Sequence, residues 1–408
     1  MSYDETFLMK LLSTPTAPFR EYAVIEVLTH YFKENHIPHF QDSTGNIVVG
    51  VNSEKNYKAL LAKPSNLTET GRLPVFIAHM DHPGFHGVEW LSHDTLKVRW
   101  LGGTPTQFCD RAPVWIADRS HHAQPAILVE STIHPSGRFL ESGVIKLETA
   151  FDKNRPLAID VFGGFRFRKP VFKEGSLYYT KAADDLGGCF AIAMLAKTFF
   201  SQKQKKSQTP FIGLLTRAEE VGYIGAIAHF SHGYLQKAKA KLTCVSLETS
   251  RALPGAEIGK GPVVRLGDKF NVFDANALQA LTTLATYALP EKHQRRIMDG
   301  GTCEGTVAMT NGISTIGISV PLGNYHNQSF EGGPDSPGPM GPAPEFIHEG
   351  DLAGMITLCA AIVSPKSIIK TTGKTKLNFK ELWKTPYAQK AKECRKSAQK
   401  FKKELAYR

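Results

Sequence analysis

Lys181-Ala182-Ala183-Asp184-Asp185-Leu186-Gly187-Gly188 stands at the head of an apolar run, residues 187–200, that reads as a helix. A carboxylate at the mouth of a helix and flanked by small residues can meet cations through either of its two oxygens. If Asp184 is shared between two cations in this way, four other clusters become its companions. They are Ala78-His79-Met80-Asp81, Ala218-Glu219-Glu220-Val221-Gly222, Leu247-Glu248-Thr249 and Tyr325-His326-Asn327.

Their placement supports the grouping. Residues 73–78 form a short apolar run that reads as a buried strand, and Pro83 and Gly84 end it, which leaves His79 and Asp81 at its carboxyl edge. Residues 211–216 read as a buried strand followed by Glu219 and Glu220. Residues 242–247 read as another, ended by Glu248, and residues 313–320 as a strand before the loop that carries His326. In open α/β sheets, sites are built at the carboxyl edge of the strands. Residues 19–35, 276–289 and 350–363 have helical spacing, and 47–51 reads as an early strand.

From 85 to about 173 the texture differs. Short β-rich runs at 96–100, 113–116, 126–129 and 144–147 alternate with Gly, Pro, Ser and His clusters. The expected fold class is therefore α/β: a mixed-sheet α/β/α domain interrupted by a small all-β domain. The boundaries read as 1–84 and 176–363 for the catalytic domain, 85–175 for the insertion and 364–408 for a C-terminal tail, with 328–344 as a Gly/Pro-rich surface loop.

Bulk properties exclude several classes. A chain of 408 residues can bury a large core, and no run of it is apolar enough to span a bilayer. The opening Met-Ser-Tyr-Asp-Glu lacks a basic-then-apolar signal pattern, so a cytoplasmic location is the expectation. Six scattered cysteines without a C-x-x-C pair argue against a disulfide framework or a cysteine zinc knuckle. The tail from Ser364 holds 14 Lys/Arg against 3 Asp/Glu and accounts for the whole net charge of +11. Basicity therefore belongs to the tail, which has a weak apolar stripe at Tyr387, Ala391, Cys394, Ala398, Phe401 and Leu405 and is suited to anionic surfaces. No nucleic-acid partner is expected.

Taken singly, each cluster has a plain explanation: a glutamate pair on a solvated face, an aspartate pair capping a helix, a polar loop histidine. Together, two His and three carboxylates supply the nitrogen and oxygen ligands of a two-zinc site with one carboxylate shared. Asp81 can accept the second ring N–H of His79 and fix its tautomer. Water between two such ions loses a proton readily, because zinc lowers its pKa to roughly 7 from ~16. Glu219 would take that proton and pass it to a leaving amine.

The order of these clusters resembles the deblocking, or tetrahedral-shell, aminopeptidases, a glutamyl-aminopeptidase-like family within the di-zinc exopeptidases. The resemblance runs from Leu11 to about Val363. Besides the clusters above it rests on Asp42-Ser43-Thr44-Gly45-Asn46, Gly259-Lys260-Gly261-Pro262, Gly300-Gly301-Thr302 and Val320-Pro321. It implies a metal-dependent aminopeptidase acting on free peptide N-termini. Asp184 would bridge, His79 and Glu248 would complete one metal, Glu220 and His326 the other, and Glu219 would be the base. Two divalent ions are implied, zinc first, with cobalt or manganese as alternatives. The β insertion would mediate assembly of copies of the chain. Departures are visible: Leu186 stands where the family has Arg, His82 where an acidic residue is usual, and Glu248 where most members have Asp. Gly323-Asn324-Tyr325 replaces the usual Arg-Tyr pair before the last His. Two other readings stay open: a related amidase or deacylase acting on N-acyl amino acids, and a non-catalytic scaffold.

Overall fold

The computed structural model describes residues 3–63, 72–120, 122–151, 155–201 and 210–364, together with 389, 392, 393 and 395–397. The chain divides into two units, 1–367 and 368–408. In the second unit, Gln389, Lys392, Glu393, Arg395, Lys396 and Ser397 are helical and exposed, whereas the expected apolar stripe lies outside the described residues.

The first unit begins with strands β1 (His39–Gln41), β2 (Ile47–Val49) and β3 (Leu73–His79). An insertion then supplies β4 (Gly84–Trp90), β5 (Thr95–Leu101), β6 (Pro113–Ala117), β7 (Gln124–Ile133), β8 (Leu140–Leu147) and β9 (Phe162–Phe165). After it come β10 (Val171–Glu174), β11 (Leu177–Thr180), β12 (Ile212–Thr216), β13 (Leu242–Arg251), β14 (Val263–Asp268), β15 (Gln294–Met298), β16 (Ser314–Gly323) and β17 (Glu345–His348). The helices are α1 (Glu5–Ser13), α2 (Tyr22–Glu34), α3 (Glu54–Leu61), α4 (Leu186–Ser201), α5 (Ile224–Ser231), α6 (Ala275–Ala288), α7 (Glu304–Thr310) and α8 (Glu349–Val363).

All strands outside the insertion form one 11-stranded mixed sheet, ordered β1-β2-β12-β3-β13-β16-β17-β11-β10, with β14 and β15 leading off β16. Its middle, β12-β3-β13-β16, is parallel, so four carboxyl ends share one edge. Side-chain alternation sorts the two faces. Val75 and Ile77 of β3 join Tyr57 of α3, Ala226 and Phe230 of α5 and Val307 of α7 in one core. Phe76 turns the other way onto Phe211, which packs edge-on against Phe199 of α4. Helix α4 is apolar nearly all round because it is covered by β3, β13, α8 and α1. This is the α/β/α arrangement read from the sequence.

Strands β4–β9 close into a barrel in the order β4-β5-β8-β7-β6-β9. Strand β5 alternates buried and exposed residues along its length, and Leu96, Val98 and Trp100 fill the interior with Phe85, Phe165 and Ile145. A barrel this small is plugged by side chains and leaves no channel. Strands β10 and β11, at the margin of the expected insertion, belong instead to the large sheet, β11 pairing with β17 and β10 with β11. No described helix is long and apolar enough to cross a membrane.

Candidate metal centre

The carboxyl edge of the parallel strands gathers the separated clusters. His79 is the last residue of β3, Glu219 and Glu220 follow β12, and His326 follows β16 in a one-turn 3-10 segment, Tyr325–Asn327. Strand β13 does not stop at Glu248 as the sequence suggested. It runs on to Arg251, with Glu248 opposite Ser319 of β16, because the parallel partner continues beside it. Asp184 sits two residues ahead of α4, and the peptide bond to Asp185 is cis. Asp185 accepts the amide of Gly188 at 3.1 Å and caps the helix, which frees Asp184 to face the site.

Asp184 reaches a histidine with each oxygen. Its Oδ1 lies 3.5 Å from His79 Nε2, and its Oδ2 lies 3.7 Å from His326 Nε2. His326 Nε2 is also 3.2 Å from Glu220 Oε2, and Glu219 Oε2 is 3.9 Å from His79 Nε2. Ligand atoms of His79, Asp184 and Glu220 lie within 4.8 Å of one another. Buried Glu220 Oε1, Glu248 Oε1 and His326 Nε2 have no hydrogen-bond partner. All these side chains line one cavity of about 520 Å³.

Electrostatics make the same point. Burial first, then Glu220 and Glu248, push the Glu219 carboxyl well above its ordinary range against the opposing pull of His79. Glu220 is pushed up by burial and Asp184. Burial raises Glu248 to about 7 although Arg265 opposes it. Burial works against protonating His79, but Glu219, Asp184 and Asp81 prevail and raise it. Three buried glutamates with so little positive charge beside them hold protons unless cations take their place, whereas at Asp184 burial is outweighed by His79 and His326, which keep it low. Buried N and O donors with free lone pairs converging on a shared carboxylate fit divalent ions of the zinc class.

Asp81 has more partners than the sequence expectation gave it. His79 Nδ1 is nearest the main-chain carbonyl of Asp81, at 3.2 Å, and 3.6 Å from its carboxylate. That carboxylate is occupied: it accepts the amides of Glu219 at 2.9 Å and Glu220 at 3.1 Å. Asp81 thereby positions the glutamate pair as well as the histidine.

Three supporting residues had no role assigned to them from the sequence, although His82 stood out as a departure. Glu345 of β17, fully buried, accepts the amides of Ala183 and Asp184 with one oxygen, at 2.6 and 3.2 Å, and that of His326 with the other, at 2.9 Å. Glu21 accepts the amide of Ala218 at 3.0 Å and pairs with Arg217, holding Ala218 at φ 52 just before the glutamate pair. His82 Nδ1 lies 3.0 Å from the Asp184 carbonyl, and its Nε2 lies 3.2 Å from the Asn327 side-chain amide. The signal for Glu345 was a lone acid between Pro344 and Phe346-Ile347. The 42–46 motif also gains a role here, since Asn46 Oδ1 accepts the amide of Arg217. Gly103, beyond the barrel strand β5, packs so closely on His326 that a Cβ there would collide with its ring.

Residues 60–330 match the M42 glutamyl aminopeptidase family, and the chain belongs to that family of peptidases. The TET1 peptidase of Pyrococcus horikoshii is 19% identical with a TM-score of 0.66, covering 88% of this chain and 99% of that one. A TET aminopeptidase from a marine sediment archaeon of the Thaumarchaeota is 16% identical with a TM-score of 0.69, covering 90% and 99%. An aminopeptidase from Desulfurococcus kamchatkensis is 18% identical with a TM-score of 0.67, covering 91% and 98%. No curated protein sequence matches the chain.

Proposed function

We propose that the chain is a di-metal aminopeptidase that removes N-terminal residues from peptides. The observation that carries this reading is Asp184, whose two oxygens address two separate histidines beside buried oxygens of Glu220 and Glu248 that have no hydrogen-bond partner. His79, Asp184 and Glu248 would hold one divalent ion, and Asp184, Glu220 and His326 the other. When bound, such ions polarise a peptide carbonyl and acidify water. Glu219, which is not needed as a ligand, accepts the proton of the attacking water and returns it to the leaving amine. Asp81 holds Glu219 and Glu220 through their amides, and Thr249 steadies Asp184 Oδ1 with a hydrogen bond of 3.1 Å.

The matching family is named for glutamyl residues. Arg138, Arg251 and Arg265 line the cavity here and would suit an acidic N-terminal side chain. Arg138 comes from the β7–β8 hairpin, so the barrel contributes to the substrate wall.

Self-association through the barrel is part of the same proposal. Val88, Leu91, Leu157 and Ile159 are more than half exposed on that domain. The Pyrococcus horikoshii peptidase is described as assembling into a tetrahedron or a larger octahedral shell. The basic tail is read, on its charge alone, as a contact for anionic surfaces. Every described cysteine assigned a redox state is free and buried, which suits a reducing, cytoplasmic setting.

The test is metal analysis of the purified chain together with a panel of aminoacyl arylamides and N-acyl amino acids. Two equivalents of metal and hydrolysis of aminoacyl substrates, glutamyl and aspartyl fastest, are expected. Turnover of the N-acyl compounds alone would move the chain to the deacylases.

A further inference from the structure

The turn that carries His326 is strained. Asn324, His326 and Asn327 all have positive φ, at 52, 55 and 56°, a conformation that costs a non-glycine residue energy. Tyr325 lies between them and shares the cavity wall with His326, their rings stacked at 3.7 Å and 25°. Its hydroxyl finds no hydrogen-bond partner among the described residues, although Glu220, Asp184, Glu219 and Glu248 all lie within electrostatic reach. Two threonine hydroxyls around the site are engaged: Thr249 donates to Asp184 and Thr216 to Glu304. A phenol donates readily, and one left unpaired at the wall of a reaction cavity is free to meet a substrate oxygen.

We propose that Tyr325 is a catalytic residue whose O–H stabilises the oxyanion formed on the scissile carbonyl. The inference rests on the aminopeptidase reading above. As the water oxygen bonds to the carbonyl carbon and gives its proton to Glu219, the carbonyl π pair moves onto oxygen. That oxygen accepts a hydrogen bond from Tyr325, which keeps its proton throughout. When the carbonyl re-forms, the C–N bond breaks and the amine leaves with the proton from Glu219. The donor is preorganised because the ring is clamped on His326 and the turn is fixed by Glu345 at the His326 amide.

Tyr325→Phe separates this role from simple bracing of His326, because it keeps the ring and removes only the hydroxyl. The variant is compared with the metal-loaded full chain in bound metal, KM, kcat and calorimetric affinity for an α-aminophosphonate, a tetrahedral mimic, and for the free product amino acid. Metal content and amino-acid affinity should be unchanged and KM should stay within about threefold. The loss of one oxyanion donor should lower kcat by roughly 10²-fold, and phosphonate affinity should fall with it. Unchanged kcat and phosphonate affinity would overturn the proposal and leave Tyr325 a stacking partner. Loss of metal in Tyr325→Phe would overturn it equally, as a brace for His326. A wild-type chain that binds two metals but neither cleaves aminoacyl substrates nor binds the phosphonate would refute the aminopeptidase reading itself.

Discussion

One oxygen of the buried Glu345 carboxylate accepts the main-chain amide of Asp184 at 3.2 Å. The other accepts the amide of His326 at 2.9 Å, so a single side chain sets the spacing between Asp184 and His326. Glu345→Gln replaces one acceptor oxygen by an N–H that faces an amide donor. Metal affinity is expected to fall about 10–100-fold, as it does when residues that orient ligands are lost. Competition with a fluorescent chelator measures this, and an unchanged affinity would show that the ligand segments hold their spacing without Glu345.

Base and ligand can be separated within the glutamate pair. Glu219→Gln should retain both metals, because His79, Asp184, Glu220, Glu248 and His326 are untouched. Its rate should fall by the roughly 10²–10⁴ that general acid–base catalysis contributes. Glu220→Gln should weaken one metal and make the residual activity depend on added zinc or cobalt. The reverse pattern in metal content would exchange the two roles.

Lys181 supplies a pH signature. It is buried, donates to the Thr14 carbonyl and lies 5.4 Å from the Trp115 ring centroid, with no carboxylate paired to it among the described residues. Burial pulls its ammonium down to about 7. Between pH 7 and the unfolded value of about 10.4, the unfolded chain binds a proton that the folded chain lacks. Stability therefore rises with pH across that window, by at most ~1.4 kcal/mol per unit, and the cost of the buried charge is fully present below it. The stability of wild type relative to Lys181→Met should climb from pH 7 to 10 in urea unfolding. Parallel profiles would count against it.

The barrel surface bears on assembly. Leu157 is 69% exposed and Ile159 64%, and both lie at the 3-10 turn Ala158–Asp160 ahead of β9, which packs against β4, the strand of Val88. Light scattering at micromolar concentration should give a mass well above the 44.9 kDa of one chain. The double variant Leu157→Glu, Ile159→Glu should lower it while leaving bound metal unchanged. A monomeric wild type would remove the barrel as an assembly surface.

Local chemistry determined much of this protein. Apolar runs ended by Pro, Gly or charge disclosed β3, β12 and α4, and the change of texture after Gly84 disclosed the barrel, because burial and turn formation act over a few residues. The same logic brought forward His79, Asp184, Glu220 and His326, since donors of this kind recur at strand ends. Tertiary structure alone decided the rest. Glu345 and Glu21 act on amides of segments distant in sequence, and a buried carboxylate leaves no periodic trace when its partners are backbone groups. Asp81, beside the ring of His79, also accepts two amides for a similar reason: the β12 turn, brought alongside β3 by parallel pairing, offers two N–H donors to one carboxylate. Strand β13 continued through Glu248 because β16 runs beside it, and pairing between strands is a property of the sheet and not of either segment.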